Sequence, residues 1–170
     1  AQVAALTPTQ LSSINGYAFS RLSTAQAGAF KTNQIAALLP GQISALSPDQ
    51  LASFTGSQWG AFASAQIREL RSEALVRVSQ QRLGSWGSTQ WAGLTSEQVQ
   101  VFSGPQFEAM GSEMVKSLSP TLLATLSGGL LRQLSSSTII SLSPEQLGVL
   151  GGDVISQLTT TQFRTLTPVQ

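Results

Sequence analysis

The chain has 170 residues, a net charge of +1, and only 10% charged residues against about 25% in ordinary soluble proteins. It contains no histidine and no cysteine, which excludes disulfides, cysteine metal sites and the commonest general base, so no cofactor or metal is expected. Nine basic and eight acidic residues are too few and too balanced for a nucleic-acid binder, whose affinity rests on clustered Lys and Arg. A surface of Ser, Thr, Gln, Gly and Ala puts little charge repulsion between copies, which leaves self-association open.

Counting from Leu6, every eighth residue is large and apolar: Leu6, Ile14, Leu22, Phe30, Leu38, Leu46, Phe54, Phe62 and onward through Met110 to Leu166. A second apolar row precedes the first by three residues from Leu11 on, through Phe19, Ala27, Ile35 and Ile43 to Phe163. A fixed period without insertion is the mark of one small unit stacked many times, a solenoid.

The unit is clearest in Ser47-Pro48-Asp49-Gln50-Leu51-Ala52-Ser53-Phe54 and in Ser143-Pro144-Glu145-Gln146-Leu147-Gly148-Val149-Leu150. Ser or Thr opens it as a helix N-cap. Proline follows, where its missing N–H is harmless; six of the seven prolines share this place, and Pro105 is displaced by one residue. Gln three residues after the cap completes a capping box, and the apolar residues before the cap and after the Gln form a hydrophobic staple. Each octad therefore predicts a helix of about one and a half turns. One continuous helix is excluded, because eight residues at roughly 100° each would rotate the apolar face by ~80° per unit. A β-solenoid is disfavoured by the three-then-five apolar spacing and by the recurrent proline.

From residue 47 the position after the cap reads Pro48, Gly56, Ser64, then Ser72, Gln80, Ser88, then Ser96, Gly104, Ser112, then Pro120, Gly128, Ser136, then Pro144, Gly152, Thr160, then Pro168. This 24-residue rhythm predicts three octads per coil, a triangular cross-section and about seven coils; two octads per turn, or a duplication without geometric meaning, also fit the count. The expected fold is all-α: a solenoid of very short capped helices in which residues 1–170 form a single repeat array. The chain opens with Ala1 and stops at Gln170, both in mid-unit, and so reads as a processed chain or a segment of a longer array. Where Met114, Leu122, Leu130 or Val154 replaces Gln, the position reads as partly buried, and the glutamines are expected to stack on one another from coil to coil. No apolar run approaches the ~20 residues of a membrane span.

One segment breaks the texture. Arg68, Arg71, Glu73, Arg77 and Arg82 crowd together with Glu69, and the Gln phase holds Ala74 and Arg82. Arg forks suit planar anions, so the segment is the candidate interaction patch for a protein or glycan ligand. Its plainer reading is a solvated face with internal pairs such as Arg68 or Arg77 with Glu73. Trp59, Trp86 and Trp91 could stack on sugars, but their phase assigns them to the core. Asp49, Glu97, Glu113, Glu145 and Asp153 fall in the first turn of each helix, where an acid meets the helix dipole favourably. Gly128-Gly129 and Gly151-Gly152 lack a phosphate-loop lysine and read as turns. Without histidine the many serines cannot build a hydrolase triad.

The units Leu6-Thr7-Pro8-Thr9-Gln10-Leu11, Leu46-Ser47-Pro48-Asp49-Gln50-Leu51 and Leu94-Thr95-Ser96-Glu97-Gln98-Val99 resemble the octapeptide tracts of large bacterial secreted and cell-surface proteins, which read roughly Leu-Thr-x-x-Gln-apolar-x-Ala. The resemblance covers nearly the whole chain and implies an extracellular structural or adhesive array, with no catalytic residue carried over. The expected function is therefore non-enzymatic: a subunit of an extracellular filament or surface fibre whose main partner is itself. An adhesin or scaffold segment that binds a protein, glycan or cell surface is the alternative.

Overall fold

The structure, a computed structural model, describes residues 2–109 and 111–170; Met110 and the side chains of Glu113 and Met114 lie outside that description. Among the described residues it consists of a 3-10 turn, Val3–Ala5, followed by twenty α-helices of four to six residues each, one per octad. The local chemistry is the expected one. In Pro48–Ala52 the cap Ser47 is extended (φ −74°, ψ 158°), its hydroxyl accepts the N–H of Gln50, and Gln50 Oε1 accepts the N–H of Ser47. Thr7, Ser23, Thr55, Thr95, Ser143 and Thr159 build the same box. The glutamine half also persists at Lys31, Leu39, Ala63 and Gly87, where no cap oxygen exists.

The chain forms two compact units, Ala1–Leu94 and Thr95–Gln170. In the first, every helix packs on the helix three places later, giving three columns. Pro8–Ser12, Thr32–Ala36, Gly56–Trp59 and Gln80–Leu83 make one; Gly16–Ser20, Pro40–Ile43, Ser64–Arg68 and Ser88–Trp91 the second; Thr24–Gly28, Pro48–Ala52 and Ser72–Val76 the third. In the second unit Ser112–Ser117, Ser136–Ile140 and Thr160–Thr165 stack in the same order, as do Pro120–Leu123 on Pro144–Gly148 and Gly128–Leu131 on Gly152–Ile155. Three octads thus close one coil in each unit, and the two-octad alternative is excluded.

Helices this short are unstable in isolation and hold only because stacking buries both apolar rows. From Ala27 to Leu150 every described member of either row is buried, each large side chain contributing about 1.5–3 kcal/mol relative to exposure. In the first unit the interior carries a connected run of rings, from Phe19–Phe30 (5.8 Å) through Phe54 and Trp59 to Trp59–Trp86 (5.8 Å) and Trp86–Trp91 (4.8 Å). Coils approach closely where side chains vanish: a Cβ on Gly93 would lie 2.5 Å from the Ser64 carbonyl oxygen.

Candidate functional site

The most distinctive chemistry of the molecule is the second half of each glutamine. A helix of one turn leaves its C-terminal carbonyls without partners, and in this fold the next coil supplies them. Gln50 Nε2 donates to the carbonyls of Phe19 (3.0 Å) and Leu22 (2.6 Å) at the end of Gly16–Ser20. Gln42 does the same for Leu11 and Ile14, Gln58 for Gly28 and Phe30, and Gln66 for Ile35 and Leu38. In the second unit Gln162 holds Leu131 and Leu134, and Gln170 holds Ile140 and Leu142. One amide therefore fastens its own helix start with Oε1 and a helix end of the preceding coil with Nε2. The expected Gln-on-Gln stacking is replaced by this clamp to the main chain. The phase is also more deeply buried than expected: Gln34, Gln42, Gln50, Gln58, Gln66, Gln98, Gln106, Gln146 and Gln162 are all buried. The residue type is dictated by the two roles, since only a neutral amide offers an acceptor and two donors on one planar group.

Neither a protein-family model nor a curated protein matches this chain. The reading of its sites accordingly rests on their geometry.

In the arginine segment, Arg71 stands at the cap of Ser72–Val76 and its guanidinium donates to the carbonyl of Leu46 at 2.7 Å. Leu46 lies where the clamp of a glutamine at position 74 would reach, and Ala74 is buried there. Arg77 pairs with Asp49 of the preceding coil, so the ion pair runs between coils rather than to Glu73. Arg68 and Glu73 are exposed and Arg82 is half-buried. Two of the five predicted patch residues thus hold one coil to another. The signal available in the sequence was the coincidence of an arginine at a cap with a missing glutamine three residues on.

Trp59, Trp86 and Trp91 are core residues, as their phase requires. The indole nitrogens of Trp59 and Trp86 are buried without a hydrogen-bond acceptor. Glu97, Glu145 and Asp153 occupy exposed first-turn positions; Glu113 lies outside the described side chains. The Ser143 hydroxyl, with a smaller contribution from the backbone N–H of Glu145, holds the Glu145 carboxyl below the ordinary carboxylate range. The glycine pairs are helix starts rather than turns: Gly128 and Gly129 open Gly128–Leu131, and Gly151 caps Gly152–Ile155. Among the described residues there is no group of three or more His, Cys, Asp or Glu fit to hold a metal ion, and no helix is long and apolar enough to cross a membrane.

Proposed function

We propose that this chain is a structural protein, a section of helical solenoid that assembles with further copies into an extracellular filament or surface fibre. The observation that carries this reading is the glutamine clamp. Each coil presents amide donors to the coil before it and carbonyl acceptors to the coil after it, so the contact that builds the fold is also one that extends it. The near-neutral composition adds support, because nothing electrostatic keeps copies apart. The resemblance to octad tracts of bacterial cell-surface proteins supplies the extracellular setting. Many of the Ser, Thr and Gln side chains are engaged in caps and clamps, which favours a non-enzymatic role. A ligand-binding role for Arg68, Arg71, Glu73, Arg77 and Arg82 has less support, since Arg71 and Arg77 are engaged between coils.

Electron microscopy and sedimentation of the purified chain over a wide concentration range test the proposal. Elongated assemblies that grow with concentration are expected. A chain that remains monomeric throughout would overturn it.

A further inference from the structure

We propose that Asn15–Gly16 is a self-modifying site: without an enzyme, the main-chain nitrogen of Gly16 displaces the side-chain amide of Asn15 to give a succinimide, which water opens to aspartate or isoaspartate.

The chain has two asparagines, Asn15 and Asn33, and only the first is placed to react. Asn15 is exposed, and the residue after it carries no side chain to obstruct ring closure. The N–H of Gly16, the first of the helix Gly16–Ser20, has no intrahelical acceptor. Asn33 lies inside Thr32–Ala36, and the N–H beside it, that of Gln34, donates to the carbonyl of Lys31 at 3.0 Å. The exposure of Asn15 belongs to its place in the coil. Leu39 and Ala63 hold the same cap position in the next two coils of the column and are exposed as well, with a coil on either side.

Packing demands the glycine. Gly16–Ser20 stacks on Pro40–Ile43, and a Cβ at residue 16 would lie 2.6 Å from the carbonyl oxygen of Gly41. The stack therefore imposes the pair that closes most readily, and the cap restrains it. Asn15 is extended (φ −74°, ψ 159°) and its Oδ1 accepts the N–H of Ala18 at 3.0 Å. Ring closure needs the side chain to swing from Ala18 onto the nitrogen of Gly16, so it waits for the cap to open.

In the reaction the bond from Gly16 N to Asn15 Cγ forms, the Cγ–Nδ2 bond breaks, and ammonia leaves with the proton of the Gly16 amide. Water then adds to one imide carbonyl. Opening at Cγ gives aspartate, whose carboxylate still caps the N–H of Ala18 and meets the positive helix end favourably. Opening at the main-chain carbonyl gives isoaspartate, in which the chain runs through Cγ and is one atom longer where Gly16 meets Gly41.

Peptide mapping by mass spectrometry of the full chain, held at mildly alkaline pH in buffer or in urea, tests the site; an isoaspartate-specific methyltransferase identifies the second product. Conversion at Asn15 with Asn33 unchanged is expected, slower in the folded chain than in urea by roughly 5–30-fold, the factor a helix cap represents. Asn15→Ser keeps a cap oxygen and removes the reacting amide, so this variant should fold as the wild type does and show no conversion. Asn15→Asp reproduces one product and should melt no lower than wild type, whereas the isoaspartyl fraction, separated by ion exchange, should melt lower. A folded chain that resists conversion by far more than that factor, equal rates in the two states, or equal conversion at Asn33 would overturn the proposal.

Discussion

Arg71 holds the main-chain carbonyl of Leu46 at 2.7 Å from the cap position of its helix, in place of the glutamine that Ala74 omits. The separation from Leu46 to residue 74 is the 28 residues that Gln50 spans to Leu22, so the same carbonyl is served by a different side chain. Removing Arg71 leaves that carbonyl without its donor, and Arg71→Ala should destabilise the chain by about 1–2 kcal/mol. Adding Ala74→Gln to that variant should restore most of the loss, because the truncated arginine leaves room for the clamp. Urea denaturation of the single and double variants measures both effects; a double variant no more stable than Arg71→Ala would show that Arg71 is not a clamp substitute.

The clamp also predicts that one substitution has unequal costs along the chain. The Gln50 side chain makes three hydrogen bonds, to the N–H of Ser47 and the carbonyls of Phe19 and Leu22, and is buried. The Gln10 side chain makes the single bond to the N–H of Thr7 and is exposed. Gln50→Leu should cost about 2–4 kcal/mol, and Gln10→Leu in the monomer less than about 1 kcal/mol. Equal losses in denaturant would contradict the two-sided role.

Gln50→Glu adds a pH signature. The introduced carboxyl would be buried against two carbonyl oxygens, which disfavours its charged form and raises its pKa in the folded state above the unfolded value. The sign follows from linkage: the variant is most stable below the unfolded carboxylate pKa, where a protonated oxygen can donate, and loses stability as pH rises through the raised folded value. Thermal melts at acidic and neutral pH should show a gap between variant and wild type that widens with pH. A gap independent of pH would mean that the position is wetter than the structure describes.

The local half of this design was legible in the sequence and the long-range half was not. The two apolar rows, the Ser/Thr caps and the return bond of Gln50 to Ser47 involve residues within one octad, and the rotation of Pro48, Gly56 and Ser64 announced three octads per coil. The target of Gln50 Nε2 is a backbone carbonyl in the preceding coil, fixed only when coils superpose, and a carbonyl leaves no trace in residue identity. Arg71 read as surface charge for the same reason, and the Asp49–Arg77 pair required knowing which helices stack. Phe163 has the phase of a core residue yet is exposed, which its residue type does not announce.

Trp59 offers a test of the ring column. Its side chain is fully buried while its indole N–H has no acceptor, an arrangement that costs about 1–3 kcal/mol of unrecovered solvation. Trp59→Phe removes that unpaired donor as well as some volume, so the two effects oppose and the net loss should stay below about 1.5 kcal/mol. Trp59→Ala removes the same donor but leaves a far larger cavity and should cost about 3–5 kcal/mol. A Phe variant as damaging as Ala would imply that the N–H contributes a strong contact with the faces of Phe62 or Trp86.

Val154 is where the clamp can be added. It occupies the Gln position of Gly152–Ile155, half-buried, and the carbonyl of Leu126 stands 28 residues before it. Neighbouring octads make the bond at the same separation, Gln146 to Leu118 and Gln162 to Leu134. In Val154→Gln, Oε1 would accept the N–H of Gly151, a cap with no side-chain oxygen of its own, and Nε2 would donate to Leu126 and Leu123. Loss of the half-buried valine offsets part of this gain, since its burial is worth less than that of a core residue. The net expectation is a stabilisation of about 1 kcal/mol, with slower amide exchange at Gly151. A variant that melts no higher, with Gly151 exchanging as before, would show that the introduced glutamine does not reach the Leu126 carbonyl.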